Sequence, residues 1–103
     1  MLDRHRYMRK HMRLEYRLRD DVDIDAYLPL VAEFVTNLRK DHATNDYTAY
    51  RDAKDPRHFV HVGHFDEDVS TAFQTQAWFK GFTAKLRELT VSPPDVVMLS
   101  PVI

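Results

Sequence analysis

Strict alternation of apolar and charged side chains over residues 12 to 19 most limits what this chain can fold into. The apolar positions are interleaved with charged ones, Met12, Leu14, Tyr16 and Leu18 against Arg13, Glu15, Arg17 and Arg19. A period of two is typical of a β-strand with one buried and one solvated face. The pattern therefore predicts a first strand over residues 12 to 19 whose apolar side packs on a core.

An acidic run over residues 20 to 25 follows this strand and predicts a helix start near Asp23 or Asp25. Aspartates there accept hydrogen bonds from free backbone amides and suit the positive end of the helix dipole. Apolar residues then recur at helical spacing, at Tyr27, Leu30, Val31, Phe34, Val35 and Leu38. Pro29 is expected within the first turn, where a missing amide is tolerated.

The rest of the chain adds three strands and a second helical segment. The predicted elements are strands over residues 46 to 51 and 58 to 65, a helical segment over 69 to 89 and a last strand over 96 to 99. Gly81 and residues 74 to 77 are the candidate breaks in the helical segment. The order βαββαβ predicts an α+β fold of ferredoxin-like type, a four-stranded antiparallel sheet with its helices on one face.

Composition limits the domain organisation, the compartment and the partners. With 103 residues and 44% apolar content, we expect a single domain over residues 12 to 103, preceded by a basic arm over residues 1 to 11. The absence of cysteine excludes disulfides, thiolate zinc sites and cysteine nucleophiles. No run is apolar enough for a membrane, and the start is too charged for a signal peptide, which predicts a cytoplasmic protein. The net charge of -1 argues against a nucleic-acid partner.

The face of the sheet turned away from the helices predicts a homodimer. The strand over residues 58 to 65 carries Val60 and Val62 on one side and phenylalanines on the other, and the last strand is apolar on both sides. Apolar side chains would be exposed on the face without helices, so we expect a second copy of the chain to cover it. The charged side of the first strand would require paired charges or water in that interface.

Three histidines, at positions 58, 61 and 64, lie three residues apart in the predicted third strand. His58 and His64 therefore share one face while His61 points to the other, which is a poor arrangement for a metal, and we predict no metal site.

His61 shares its face with Phe59 and Gly63, so the sequence predicts that it is buried. Burial lowers an imidazole pKa and keeps the ring neutral, as a general base at neutral pH requires. The alternative is a core histidine whose nitrogens are satisfied by the backbone or by a tyrosine. Gly63 indicates either a bulge or room for a flat ligand beside His61.

Over about residues 12 to 100 the chain resembles the antibiotic biosynthesis monooxygenase family of dimeric α+β barrels. The resemblance lies in MRLEYRL, DAYLPLVAEFVTNL, HFVHVGHFDED and VSTAFQTQAWFKGFTAKLREL, followed by prolines and a last apolar strand. It implies a cofactor-free monooxygenase in which dioxygen attacks an ionised quinol- or anthrone-like aromatic molecule. His61 is then the candidate base. The candidate substrate-positioning residues are Tyr16, Tyr50, Gln74 and Trp78.

The chain departs from this family at its usual polar positions. A glutamate, a tryptophan and a histidine of the family correspond to Gly63, Phe65 and Phe73, and the further histidine of haem-degrading relatives corresponds to Thr83. Haem degradation is therefore disfavoured. Two other functions stay open, a non-catalytic dimeric small-ligand-binding or stress-related protein, and a partner-binding module whose basic arm docks on an acidic surface.

Overall fold

The computed structural model describes residues 9–42, 46–66 and 74–102, with side chains for 11–40, 46–64 and 74–102. The elements are β1 (Arg9–Arg17), α1 (Ile24–His42), β2 (Thr48–Arg51), β3 (His58–Asp66), α2 (Ala77–Leu89) and β4 (Asp95–Leu99). The strands form one sheet in the order β2-β3-β1-β4, and all neighbours are antiparallel. The predicted βαββαβ order and four-stranded antiparallel sheet are confirmed.

Strand β1 begins at Arg9, three residues before the predicted strand. Residues 9 to 11, which the sequence assigned to the basic arm, pair with β3; residues 1 to 8 lie outside the described residues. The side of β1 that carries Tyr16 is buried, and Met12 and Leu14 pack against the core from the same side. The alternation therefore correctly predicts which face of the strand meets the helices.

Helix α1 begins at Ile24, because Asp23 caps it. The Oδ1 atom of Asp23 accepts hydrogen bonds from the amides of Asp25 at 3.0 Å and Ala26 at 3.4 Å. With this start Pro29 lies in the second turn, and not in the first turn that the sequence predicted. The proline removes one helical hydrogen bond, that to the carbonyl of Asp25, and both residues are exposed.

Helix α2 runs unbroken through Gly81 from Ala77 to Leu89. The chain leaves helical geometry at Thr75 and Gln76, so of the two candidate breaks the one in residues 74 to 77 is confirmed. Residues 67 to 73, in which the predicted helical segment began, lie outside the described residues. Within the described ranges no helix is long and apolar enough to cross a membrane.

Residues paired across antiparallel strands share a face of the sheet, and this divides the strands into two sides. The row through His61 runs from Ala49 to Leu14 and Val96 and faces the helices. Between this side and the two helices lies the core, where Phe34 of α1 stacks on Phe82 of α2 with ring centroids 4.1 Å apart. The opposite side, which we call the open face, carries the row through Val62.

Candidate functional site

His61 lies near the centre of β3 on the helix-facing side of the sheet, with 0% of its surface exposed. Its Nε2 atom lies 2.7 Å from the hydroxyl oxygen of Tyr16, and its Nδ1 atom lies 2.8 Å from that of Tyr47. The Tyr16 hydroxyl is in turn hydrogen-bonded to that of Tyr27. These four buried side chains form one continuous hydrogen-bonded path, which we call the tyrosine–histidine chain.

The strand register places these side chains on one side of the sheet. Tyr16 pairs with Phe59 across β1 and β3, and their rings stack with centroids 5.6 Å apart. Ala49 pairs with His61 across β2 and β3. Because side chains alternate along a strand, Tyr47 points to the same side as Ala49. The hydroxyls of Tyr16 and Tyr47 therefore both reach the imidazole in the layer between the sheet and the helices.

Burial controls the charge of the tyrosine–histidine chain. It lowers the pKa of His61 to about 4, and it raises the pKa of the hydroxyls of Tyr16, Tyr27 and Tyr47 above the usual range of a phenol. All four groups are therefore uncharged at neutral pH. A neutral imidazole has one donor and one acceptor nitrogen, so each nitrogen has a tyrosine partner.

A cavity of about 300 Å³ opens beside the tyrosine–histidine chain, between the sheet and the two helices. Among its apolar walls are Met12, Leu14, Phe34, Phe79, Phe82 and Val96. The polar side chains that line it are Tyr47, Gln74, Thr83 and Arg87. Among the described residues, Tyr47 alone belongs both to the cavity wall and to the tyrosine–histidine chain. An apolar cavity with a few polar groups is typical of a small-molecule site.

The residues predicted from the sequence lie in three different places. Tyr16 contacts His61, and Gln74 lies exposed at the wall of the cavity. Trp78 lines a second, outer hollow between the two helices. Tyr50 is on the open face with 57% of its surface exposed. The structure therefore brings Tyr16 and Gln74 to the site, and it does not bring Tyr50 or Trp78 there within one chain.

Sequence reasoning missed Tyr47 and assigned Tyr27 only to the core. The signal for Tyr47 was present in the period of two along the second strand, where odd-numbered and even-numbered residues face opposite sides. That period separates Tyr47 from Tyr50, but it does not tell which of the two faces the helices. The pairing of Ala49 with His61 decides it.

Both expectations for Gly63 are wrong. The pairing of β1 with β3 continues without interruption through Met12 and Gly63, so no bulge occurs there. The space beside the glycine is not free for a ligand, because the ring of Tyr47 occupies it. A side chain at position 63 would collide with the ring of Tyr47 that crosses over it.

The other two histidines of β3 lie on the open face and bind carboxylates. His58 contacts Asp52 at 3.0 Å and Glu15 at 2.5 Å, and these hydrogen bonds, the one to Asp52 first, raise the pKa of His58. His64 pairs with Asp46. Within the described ranges no three potential metal ligands come together.

Comparisons with known proteins give matches by structure but not by sequence. No family model and no curated protein matches the sequence. A crystal structure of an antibiotic biosynthesis monooxygenase aligns with a TM-score of 0.81 at 22% identity, over 91% of this chain and 99% of the other. A putative antibiotic biosynthesis monooxygenase from Nitrosomonas europaea aligns with a TM-score of 0.79 at 11% identity, over 92% and 91%. The chain has the antibiotic biosynthesis monooxygenase fold.

The same fold occurs in SnoaB from Streptomyces nogalater, described as a cofactor-independent oxygenase. A mutant of SnoaB aligns with a TM-score of 0.77 at 11% identity, over 93% of this chain and 95% of that one. The polar residues that the resemblance implied for the antibiotic biosynthesis monooxygenases and their haem-degrading relatives are replaced in this sequence. Gly63 lies beneath Tyr47, Thr83 lies in the cavity wall, and Phe73 and the side chain of Phe65 lie outside the described residues.

Proposed function

We propose that this chain is a cofactor-independent monooxygenase of a small quinol- or anthrone-like aromatic molecule. The observation that carries the proposal is the apolar cavity of about 300 Å³ whose wall residue Tyr47 is hydrogen-bonded to the buried imidazole of His61. This arrangement joins a mostly apolar cavity to a neutral proton acceptor. The fold supports it, because SnoaB, a cofactor-independent oxygenase, shares that fold.

The chemistry requires little of the protein. An anthrone or quinol that loses a proton becomes a stabilised anion, and this anion can give electrons to dioxygen. In the oxygenation of an anthrone, one atom of dioxygen becomes the new carbonyl oxygen and the other leaves as water. The protein supplies a group that accepts the first proton and a cavity that excludes water, which strengthens electrostatic stabilisation of the anion.

We propose further that the functional unit is a homodimer formed through the open face. Apolar side chains on that face remain exposed in the single chain, among them Tyr50 at 57%, Leu99 at 44% and Val62 at 37%. Burial of such side chains favours association. Described charged residues on that face form ion pairs within the chain, as between Arg13 and Glu15 at 3.6 Å, which lowers the cost of covering them.

A second function, binding of a small ligand without chemistry, is favoured by one observation. Both nitrogens of His61 already have tyrosine partners, and His61 is fully buried. An imidazole held in this way satisfies a core and offers no free lone pair to a ligand in the cavity. The same cavity then serves as a carrier or sensor site for an aromatic molecule.

Labelled dioxygen separates the two functions. Purified protein, freed of metals, is incubated with dithranol as an anthrone probe under isotopically labelled dioxygen, and the organic product is analysed by mass spectrometry. The oxygenase proposal predicts one labelled oxygen atom in each quinone product at a rate above that of buffer. Dithranol that binds and is recovered unchanged at the buffer rate contradicts the oxygenase and supports the binding protein.

A further inference from the structure

His61 is separated from the cavity by one of its hydrogen-bond partners. The imidazole is fully buried, and both of its nitrogens lie within hydrogen-bond distance of tyrosine hydroxyls. The described cavity wall includes Tyr47 and does not include His61. Of the four side chains in the tyrosine–histidine chain, Tyr47 is therefore the one that a molecule in the cavity can contact.

We propose that Tyr47 contacts the acidic hydroxyl group of the substrate and relays its proton to His61. The inference deepens the proposed function and rests on it, because it takes the cavity to be the substrate site. It makes Tyr47 the catalytic residue that touches the substrate, and it makes His61 a proton acceptor that acts through Tyr47. Tyr16 then acts as the positioning residue that holds the far side of the imidazole.

The relay conserves charge and protons at every atom. In a quinol, or in the enol form of an anthrone, the O–H bond of the substrate breaks and its proton joins the Tyr47 hydroxyl oxygen, while the proton already on that oxygen passes to Nδ1 of His61, which lies 2.8 Å from the oxygen. Tyr47 is a neutral phenol both before and after the transfer. The substrate becomes an anion and the imidazole becomes a cation, so the net charge of the site stays the same.

This direction of transfer fixes the resting state of the imidazole. Nδ1 must be the acceptor, so the ring proton is on Nε2, where it donates to the Tyr16 hydroxyl 2.7 Å away. Tyr16 then donates to Tyr27, its other hydrogen-bond partner. The Tyr47 hydroxyl, the imidazole N–H and the Tyr16 hydroxyl thus all donate in the same direction, away from the cavity. The path can therefore accept a proton from a molecule in the cavity.

A substrate anion offsets part of the cost of charging the buried imidazole. The imidazole lies among aromatic rings, with Phe34 at a centroid distance of 6.5 Å and Tyr16 at 5.2 Å. Opposite charges attract more strongly in such a low-dielectric space than in water. A substrate anion beside Tyr47 therefore favours the charged imidazole, which the empty site disfavours.

The first test needs neither a substrate nor a variant. Imidazole nitrogen chemical shifts of His61 in the ligand-free protein at neutral pH distinguish the two neutral tautomers. The relay requires the proton on Nε2. A proton on Nδ1 would make the imidazole a donor to Tyr47, unable to accept from it, and would overturn the proposal.

The second test follows the proton with para-nitrophenol, whose phenolate absorbs visible light. The phenol is added to saturation, at a pH low enough that the free phenol in buffer stays protonated, to the wild-type protein, to Tyr47→Phe and to Thr36→Ala, which removes a hydroxyl that donates to Ala32 within α1. We expect the phenolate band and a doubly protonated His61 to appear together in the wild type and in Thr36→Ala, and both to be lost in Tyr47→Phe. A neutral His61 in the phenol-saturated wild type, or equal protonation with and without the Tyr47 hydroxyl, overturns the relay.

These readouts also separate the relay from the oxygenase proposal. Protonation of His61 on phenol binding, with no oxygen incorporated into dithranol, supports the relay and contradicts the oxygenase. Oxygen incorporation at an equal rate in wild type and Tyr47→Phe supports the oxygenase and contradicts the relay.

Discussion

The ring of Tyr47 lies directly over Gly63 of the neighbouring strand. A Cβ atom on Gly63 would come within 2.5 Å of Cδ2 of that ring, closer than two non-bonded carbon atoms can approach. The missing side chain is what lets the tyrosine cross β3 and place its hydroxyl 2.8 Å from Nδ1 of His61. One glycine thus supports the contact between the cavity wall and the buried imidazole.

Gly63→Ala is expected to destabilise the protein by about 1–3 kcal/mol, because the added methyl group forces the Tyr47 ring to move. The matched control is Gly81→Ala, in the interior of α2, where the added Cβ has no described atom within 4 Å apart from its chain neighbours and the adjacent helix backbone. That change is expected to stabilise the protein by about 0.5–1 kcal/mol, because alanine favours a helix. Urea unfolding of both variants measures the difference, and a Gly63→Ala protein as stable as the wild type would contradict this packing.

The sequence predicted those parts of the site that depend on local periodicity. Alternation along two strands was enough to place Tyr16 and His61 on the core side, since a strand has only two faces. The choice between Tyr47 and Tyr50 depended on the pairing of β2 with β3, and a shift of one residue exchanges the two faces. Pairing between strands is a long-range property, so the sequence did not predict it.

The cavity and the place of Trp78 depended on helix packing, which local patterns do not determine. The spacing of aromatic residues correctly predicted helix α2 but not the angle at which α2 crosses the sheet. Trp78 therefore faces the hollow between the two helices, while Phe79 and Thr83 line the inner cavity. Crossing angles follow from how side chains of both helices interlock.

Stability is expected to fall with decreasing pH because of His61. Burial lowers its pKa from the usual 6.5 of a histidine to about 4. Between these two values the unfolded chain binds a proton that the folded protein does not bind. The loss begins as pH falls through the unfolded pKa, is complete near the folded pKa and amounts to about 3 kcal/mol.

His61→Gln isolates this contribution, because an amide can donate and accept hydrogen bonds but does not titrate in this range. Urea unfolding of the wild type and the variant is compared at steps of pH between about 7 and 4. Carboxylates such as Asp52 and Asp55, whose pKa values are lowered in the fold, destabilise both proteins alike on acidification. The difference between the two proteins should therefore shrink as pH falls, and a constant difference would contradict a neutral, buried His61.

The proposed dimer is expected to dissociate when a charge is placed on the open face. Val62→Glu introduces a carboxylate at a position with 37% exposure on that face, and burying an unpaired charge in an interface is strongly unfavourable. Leu30→Glu, on α1 with 38% exposure, is the matched control. Light scattering at micromolar concentration should give two chains for the wild type and the control and one for Val62→Glu. A wild-type mass of one chain would contradict the dimer.

Oxygen consumption tests the central claim most directly. Metal-free protein without added cofactor is presented with a panel of anthrones, quinols and naphthols, beside His61→Gln and the control Thr36→Ala, whose hydroxyl donates to the carbonyl of Ala32 within α1. We predict oxygen uptake above buffer in the wild type, an equal rate in the control and a rate lower by about 10²–10⁴-fold in His61→Gln, as for loss of a general base. Equal uptake in wild type and His61→Gln, or none above buffer with any compound, would contradict the account.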